Sequence, residues 1–125
     1  MEAIHLFSLA SQKNEWLSVR QATIAQNISH VDTPGYRARD IQPFNEVMDK
    51  TRLHMAATNP AHLELDGSAR QVRSSKADSW GVTHSGNSVN VEQELMKAGS
   101  VAREHALSTS IVKSFHRMIL MSVKG

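Results

Sequence analysis

From Glu2 to Ser29 the chain contains neither proline nor glycine, and from Val91 to Lys124 only Gly99 interrupts a second long run. Helices of that length do not fit into a sphere. About 34 helical residues span about 50 Å at 1.5 Å each, whereas a compact chain of 125 residues has a radius of gyration near 14 Å. The economical arrangement is mainly α: two long terminal helices in an antiparallel, coiled-coil-like pair, with an irregular middle segment at one end that has room for short β-strands. One apolar stripe of the C-terminal helix then stays exposed unless other chains cover it, so assembly is a physical expectation.

Local signals place the boundaries. Apolar residues recur at helical spacing through Ile4, Phe7, Ala10, Leu17, Ile24, Ile28 and Val31. The first helix must stop before Asp32-Thr33-Pro34-Gly35, because Pro34 pushes Thr33 out of the helical region and Gly35 supplies a turn. Asn90 and Gln93 have the spacing of a capping box, Glu92 and Glu94 occupy the first turn, and Lys113, Arg117 and Lys124 suit the far end of the second helix. Its apolar positions read as two stripes: Val91, Leu95, Ala98, Ala102, Val112, Ile119 and Val123, then Val101, Ile111, Phe115 and Met118. Two stripes suggest two packing partners. Residues 1–36 and 87–125 are therefore expected to form one domain, with 37–86 a partly flexible middle segment. Leu63-Glu64-Leu65 and Val72 are candidate strands there, and Arg70 to Ser79 reads as a mobile loop.

Composition excludes more than it selects. There is no cysteine, hence no disulfide, thiolate metal site or cysteine nucleophile. The start lacks a basic region before an apolar core and keeps Lys13, Asn14 and Glu15, unlike a cleaved secretion signal, and no stretch reaches the roughly 18 apolar residues of a membrane span. Fourteen basic against twelve acidic residues give a net charge of +2, spread with no strongly basic block.

The search for chemistry finds little. Seven histidines, at 5, 30, 54, 62, 84, 105 and 116, include no pair at i,i+3 or i,i+4. Gly81 to Ser88 has the glycine spacing of a phosphate loop, but Asn87 stands where the lysine belongs. No Gly-x-Ser-x-Gly elbow is present. Asn27-Ile28-Ser29 fits a glycosylation pattern only by chance inside a helix, and Arg70, Arg73 and Lys76 lack the interleaved aromatics of a nucleic-acid site. No enzyme, cofactor, metal, small-molecule substrate or nucleic-acid partner is expected.

The segment Ile24-Ala25-Gln26-Asn27-Ile28-Ser29-His30-Val31-Asp32-Thr33-Pro34-Gly35-Tyr36 closely resembles the signature that ends the N-terminal helix in flagellar rod and hook proteins. Thr58-Asn59-Pro60-Ala61-His62-Leu63 is similar to that family's middle element, and Gly86-Asn87-Ser88-Val89-Asn90-Val91 resembles the start of its C-terminal helix. The continuation Arg37-Ala38-Arg39-Asp40-Ile41, with Phe44 after it, looks most like the proximal-rod members. The sequence departs from the pattern at His30, where the family often has Asn, and at Gly99 with Arg103-Glu104-His105. Physically, Asp32 and Thr33 are expected to bond local backbone while Pro34 and Gly35 fix a reversal, and Gly99 to mark a close helix approach or a bend.

The resemblance implies a structural subunit of the proximal rod of the bacterial flagellar basal body, assembling helically with itself and other rod proteins to transmit torque through the periplasm. It further implies contacts with membrane-ring and rod-junction proteins, and export by the flagellar type III apparatus without a cleaved signal. On this reading Leu17, Ile24, Ile28, Leu95, Val101, Val112, Phe115 and Ile119 make subunit contacts, while Asn27, Asp32, Thr33, Pro34, Gly35 and Tyr36 shape the turn. The alternatives are another axial subunit or a soluble helical adaptor.

Overall fold

A computed structural model describes residues 2–50 and 73–125 of the chain. Helix α1 runs Glu2–Ser29, strand β1 Arg39–Ile41, helix α2 Phe44–Lys50, strand β2 Ser74–Lys76 and helix α3 Val91–Lys124. The two long helices thus form where unbroken helical periodicity puts them, and α1 ends before Pro34, leaving Val31 outside it.

Helix α3 begins at an asparagine cap, as expected, but by half of the expected box. Asn90 Oδ1 accepts the backbone N–H groups of Glu92 and Gln93 at 3.0 and 3.2 Å, satisfying two of the helix's orphan donors. Gln93 does not reach back. Its amide donates to the Asp78 carbonyl at 2.8 Å and accepts from the Trp80 N–H at 3.4 Å, so it ties the incoming loop to the first turn.

Helices α1 and α3 lie antiparallel. Phe7 meets Phe115 edge-on with ring centroids 6.1 Å apart, Lys13 pairs with Glu104 at 2.8 Å, and Asn27 bonds Glu94 at 3.1 Å. The core is small: Trp16, Leu17, Ile24, Ile41 and Val101 are buried, with Val19, Ile28, Phe44, Val47 and Ala98 packed against them. Each such side chain, fully buried, contributes about 1.5–3 kcal/mol.

The described parts of the middle segment contain a short helix and a two-stranded ribbon. β1 and β2 pair antiparallel, with Arg39 opposite Lys76, Asp40 opposite Ser75 and Ile41 opposite Ser74. Residues 74–76 therefore correct the reading of Arg70 to Ser79 as a loop; the backbone bonds Gln42 N–H to Arg73 O and Ala77 N–H to Ala38 O extend the ladder at both ends. The expected strands at Leu63–Leu65 and Val72, and the Thr58 to Leu63 element, lie outside the described residues. Helix α2, which local periodicity did not reveal, sets Phe44 5.9 Å from Trp16, while the Trp16 indole N–H donates to Gln42 O at 2.8 Å. Ile41, Phe44 and Val47 thereby cover the side of α1 that α3 leaves open.

The two stripes on α3 are also redistributed. Ala98, Val101, Val112, Phe115 and Ile119, drawn from both, lie on the side turned to α1, whereas Leu95, Ile111 and Met118 are exposed. Gly99 marks no close helix approach: a Cβ there would meet only the Arg103 guanidinium, at 3.5 Å.

Candidate functional site

Two buried asparagines lock the end of α1 to the start of α3. After Ser29 the chain turns through Thr33 N–H to His30 O at 3.0 Å and Tyr36 N–H to Thr33 O at 3.3 Å, and Gly35 reverses it at φ 72°. A second turn is pressed onto the first. Gly86 has φ 83°, Gly35 N–H donates to Ser85 O at 2.9 Å, and a Cβ on Gly86 would lie 3.5 Å from Gly35 Cα. Positive φ is what glycine supplies at both places.

Asn87, 2% exposed, places its amide nitrogen 2.8 Å from each of the carbonyls of His30, Val31 and Thr33, and its Oδ1 accepts Val89 N–H at 2.7 Å. These carbonyls belong to the turn that follows α1, where those of His30 and Thr33 also accept the turn's own N–H groups, and the residue that gathers them lies more than fifty positions away. Neighbouring Ser88 accepts Ala38 N–H at its hydroxyl, 2.8 Å away, and gives its own N–H to Tyr36 O at 3.0 Å.

Asn27 has no exposed surface. Its Nδ2 donates to Arg39 O at 2.7 Å and to Glu94 at 3.1 Å, while its Oδ1 accepts Arg39 N–H at 3.1 Å and the Tyr36 hydroxyl at 3.4 Å. One amide thus joins α1, the turn, β1 and α3. Tyr36 is further fixed by stacking on His30, with centroids 4.5 Å apart.

Beside Asn27 runs a line of alternating charges. Arg20 reaches Asp40 at 3.3 Å, Lys97 lies 3.6 Å from Asp40 and 3.0 Å from Glu94, and the Glu94 side chain is 1% exposed. A carboxylate buried so deeply is tolerable because Lys97 and Asn27 both serve it and because it sits in the first turn of α3. A cleft of about 470 Å³ opens nearby, lined by Lys13, Trp16, Arg20, Phe44 and Glu104 among others. Its cations are already paired, and Lys13 holds the Glu104 carboxyl below the usual glutamate range by a hydrogen bond.

Of the turn residues named from sequence, the structure brings Asn27, Gly35 and Tyr36 into this lock, with Pro34 exposed on the turn between them. Asp32 is exposed, and Thr33 turns its hydroxyl to the His30 ring at 3.2 Å instead of to backbone, which corrects the expected local bonding. Sequence reasoning missed Asn87, Ser88, Glu94, Asp40 and Lys97 as partners. Of the contact candidates, Leu17, Ile24 and Val101 are buried inside the pair, Ile28, Val112, Phe115 and Ile119 are half-buried, and Leu95 is 58% exposed. Leu107, at 62%, joins Ile111 and Met118 on an apolar flank of α3.

Among the described residues no group of three or more metal-ligating side chains occurs, and no helix is long and apolar enough to cross a membrane.

No protein-family model matches the chain. Curated relatives do. A flagellar basal body rod protein FlgB from Agrobacterium fabrum is 46% identical, with 99% of this chain and 96% of the relative covered. Proteins of the same name from Aeromonas hydrophila and Buchnera aphidicola are 28% and 24% identical, covering 98% and 96% of this chain and 91% and 95% of their own lengths. The shared length contains both helices and the turn between them, and at this identity the chain belongs to the FlgB family of flagellar basal body rod proteins.

Proposed function

We propose that the chain is a structural subunit of the flagellar basal body rod that assembles through the exposed flanks of α3 around a hairpin held rigid by the asparagine lock. The observation that carries this is Leu107, Ile111 and Met118, 62%, 47% and 53% exposed along one flank of a 34-residue helix. Isolated large apolar side chains are ordinary on a surface, but an aligned series marks a contact. The family supplies the assembly in which such a contact operates.

On this reading the subunit sits in the proximal rod, in the periplasm, and passes torque through helix contacts with its own copies and other rod proteins. Membrane-ring and rod-junction proteins bound it below, and it reaches its place by flagellar type III export without a cleaved signal. The role is mechanical and not enzymatic. A stiff subunit suits it: the turn, the ribbon and both helices are cross-tied by Asn27 and Asn87.

Deleting the gene in a flagellated host and imaging basal bodies tests the proposal. Rings without rods, restored by the wild-type gene, are the expected result; complete rods and normal swimming in the deletion strain would refute it.

A further inference from the structure

The ribbon of β1 and β2 has one edge that no described part of the chain covers. Two bonds, Ala77 N–H to Ala38 O and Gln42 N–H to Arg73 O, fix the phase of the antiparallel ladder. In that phase Asp40 and Ser75 face each other through the ladder, while Arg39, Ile41, Ser74 and Lys76 turn their backbone groups to the outer edges. On the β1 side those groups find partners: the Asn27 amide takes both from Arg39, and the Asp40 carboxylate accepts Ile41 N–H at 2.8 Å. On the β2 side the N–H and C=O of Ser74 and Lys76 have no partner among the described residues, and all three residues of the strand are exposed.

The charge on the ribbon is unmatched as well. Arg39 stands directly opposite Lys76, both exposed, and like charges placed so weaken a ladder. Neither forms an ion pair among the described residues. Asp40, the acid on β1, is taken by Arg20 and Lys97, and Asp78, two residues beyond Lys76, pairs with neither cation.

We propose that the β2 edge receives an extended acidic segment of another protein as a third strand, with its carboxylates over Arg39 and Lys76. The contact goes beyond the rod reading and uses none of the α3 flank. A strand offers an acceptor and a donor to each of Ser74 and Lys76, and a two-stranded ribbon is marginal until a third strand joins it. A phosphate group takes the cations and the N–H donors but leaves both carbonyls without a donor. A second copy of the ribbon, laid edge to edge, gathers two arginines and two lysines on one small sheet; such repulsion is how lysine keeps an edge strand from pairing with its like. Carboxylates reverse the sign at the same place.

The probe is a short synthetic peptide of alternating glutamate and valine, titrated into the isotope-labelled chain and followed by amide resonances and their solvent exchange. The Ser74 and Lys76 amides should shift and exchange more slowly. Lys76→Glu should weaken the peptide about tenfold and favour its lysine and valine counterpart instead. Ser74→Pro, which removes one outward N–H and none of the ladder's, should weaken it too. The Arg39 amide, held by Asn27, reports that the ribbon is intact in both variants. Equal binding of a peptide methylated on every backbone nitrogen, or tighter binding of polyphosphate, would reduce the contact to charge alone and overturn the proposal. Equal binding of the lysine peptide to the wild type, or unmoved Ser74 and Lys76 amides at about 1 mM peptide, would overturn it as well. None of these results touches the rod reading, which the deletion strain tests.

Discussion

The side-chain amide of Asn27 pairs with both backbone groups of Arg39, accepting its N–H at 3.1 Å and donating to its carbonyl at 2.7 Å. β1 has β2 along one edge, and on the other edge this single amide takes the place of a strand. The same nitrogen serves the buried Glu94, which ties ribbon placement to helix placement.

Asn27→Ala should therefore be far costlier than a surface change. It leaves the Arg39 N–H and C=O and one bond to Glu94 without the partner that the fully buried Asn27 supplies, a loss of about 2–4 kcal/mol. Asn27→Asp should cost at least as much at pH 7, since it sets a second carboxylate within hydrogen-bond distance of Glu94 and removes the donor. Urea denaturation of the purified chain, followed by circular dichroism, measures both.

Gly99→Ala should stabilise the isolated chain by about 1 kcal/mol, because glycine is unfavourable in a helix interior and the new methyl would meet only the Arg103 side chain, at 3.5 Å. The same urea titration reads the gain. A loss would mean that Gly99 serves a contact within the monomer.

The Lys13–Glu104 pair gives a small pH signature. Its carboxyl is held below the ordinary value of 4.5, so its contribution is present above that value and is lost as pH falls from there through the lowered folded value. The Glu104 side chain is 36% exposed, which keeps the effect below about 1 kcal/mol. Glu104→Gln should lower the urea midpoint slightly at pH 7 and have no effect at pH 2.

What the sequence made legible was local. Pro34 and Gly35 stop α1 by their own backbone chemistry, and Asn90 starts α3 because its side chain reaches N–H groups two and three residues on. The lock is not local. Asn27 and Glu94 are 67 residues apart, and Glu94 reads from its neighbours as nothing more than a first-turn acid. β1, with three residues, is too short to show an alternating pattern, and β2 consists of Ser74, Ser75 and Lys76, all exposed. Helical spacing showed that α3 has more than one apolar side. Spacing alone does not say which one α1 takes: Leu95 shares a stripe with Ala98 and Val112 yet is 58% exposed, and Leu107 falls outside both stripes.

The proposed assembly depends on the exposed flank of α3, and Ile111→Asp tests it with little disturbance to the fold, since Ile111 is 47% exposed on the monomer. The variant would be introduced into the deletion strain and basal bodies imaged, alongside circular dichroism and urea denaturation of the purified chain. The expected result is a monomer with wild-type helix content, a urea midpoint close to that of the wild type, and rings without rods. Complete rods and normal swimming with Ile111→Asp would contradict it.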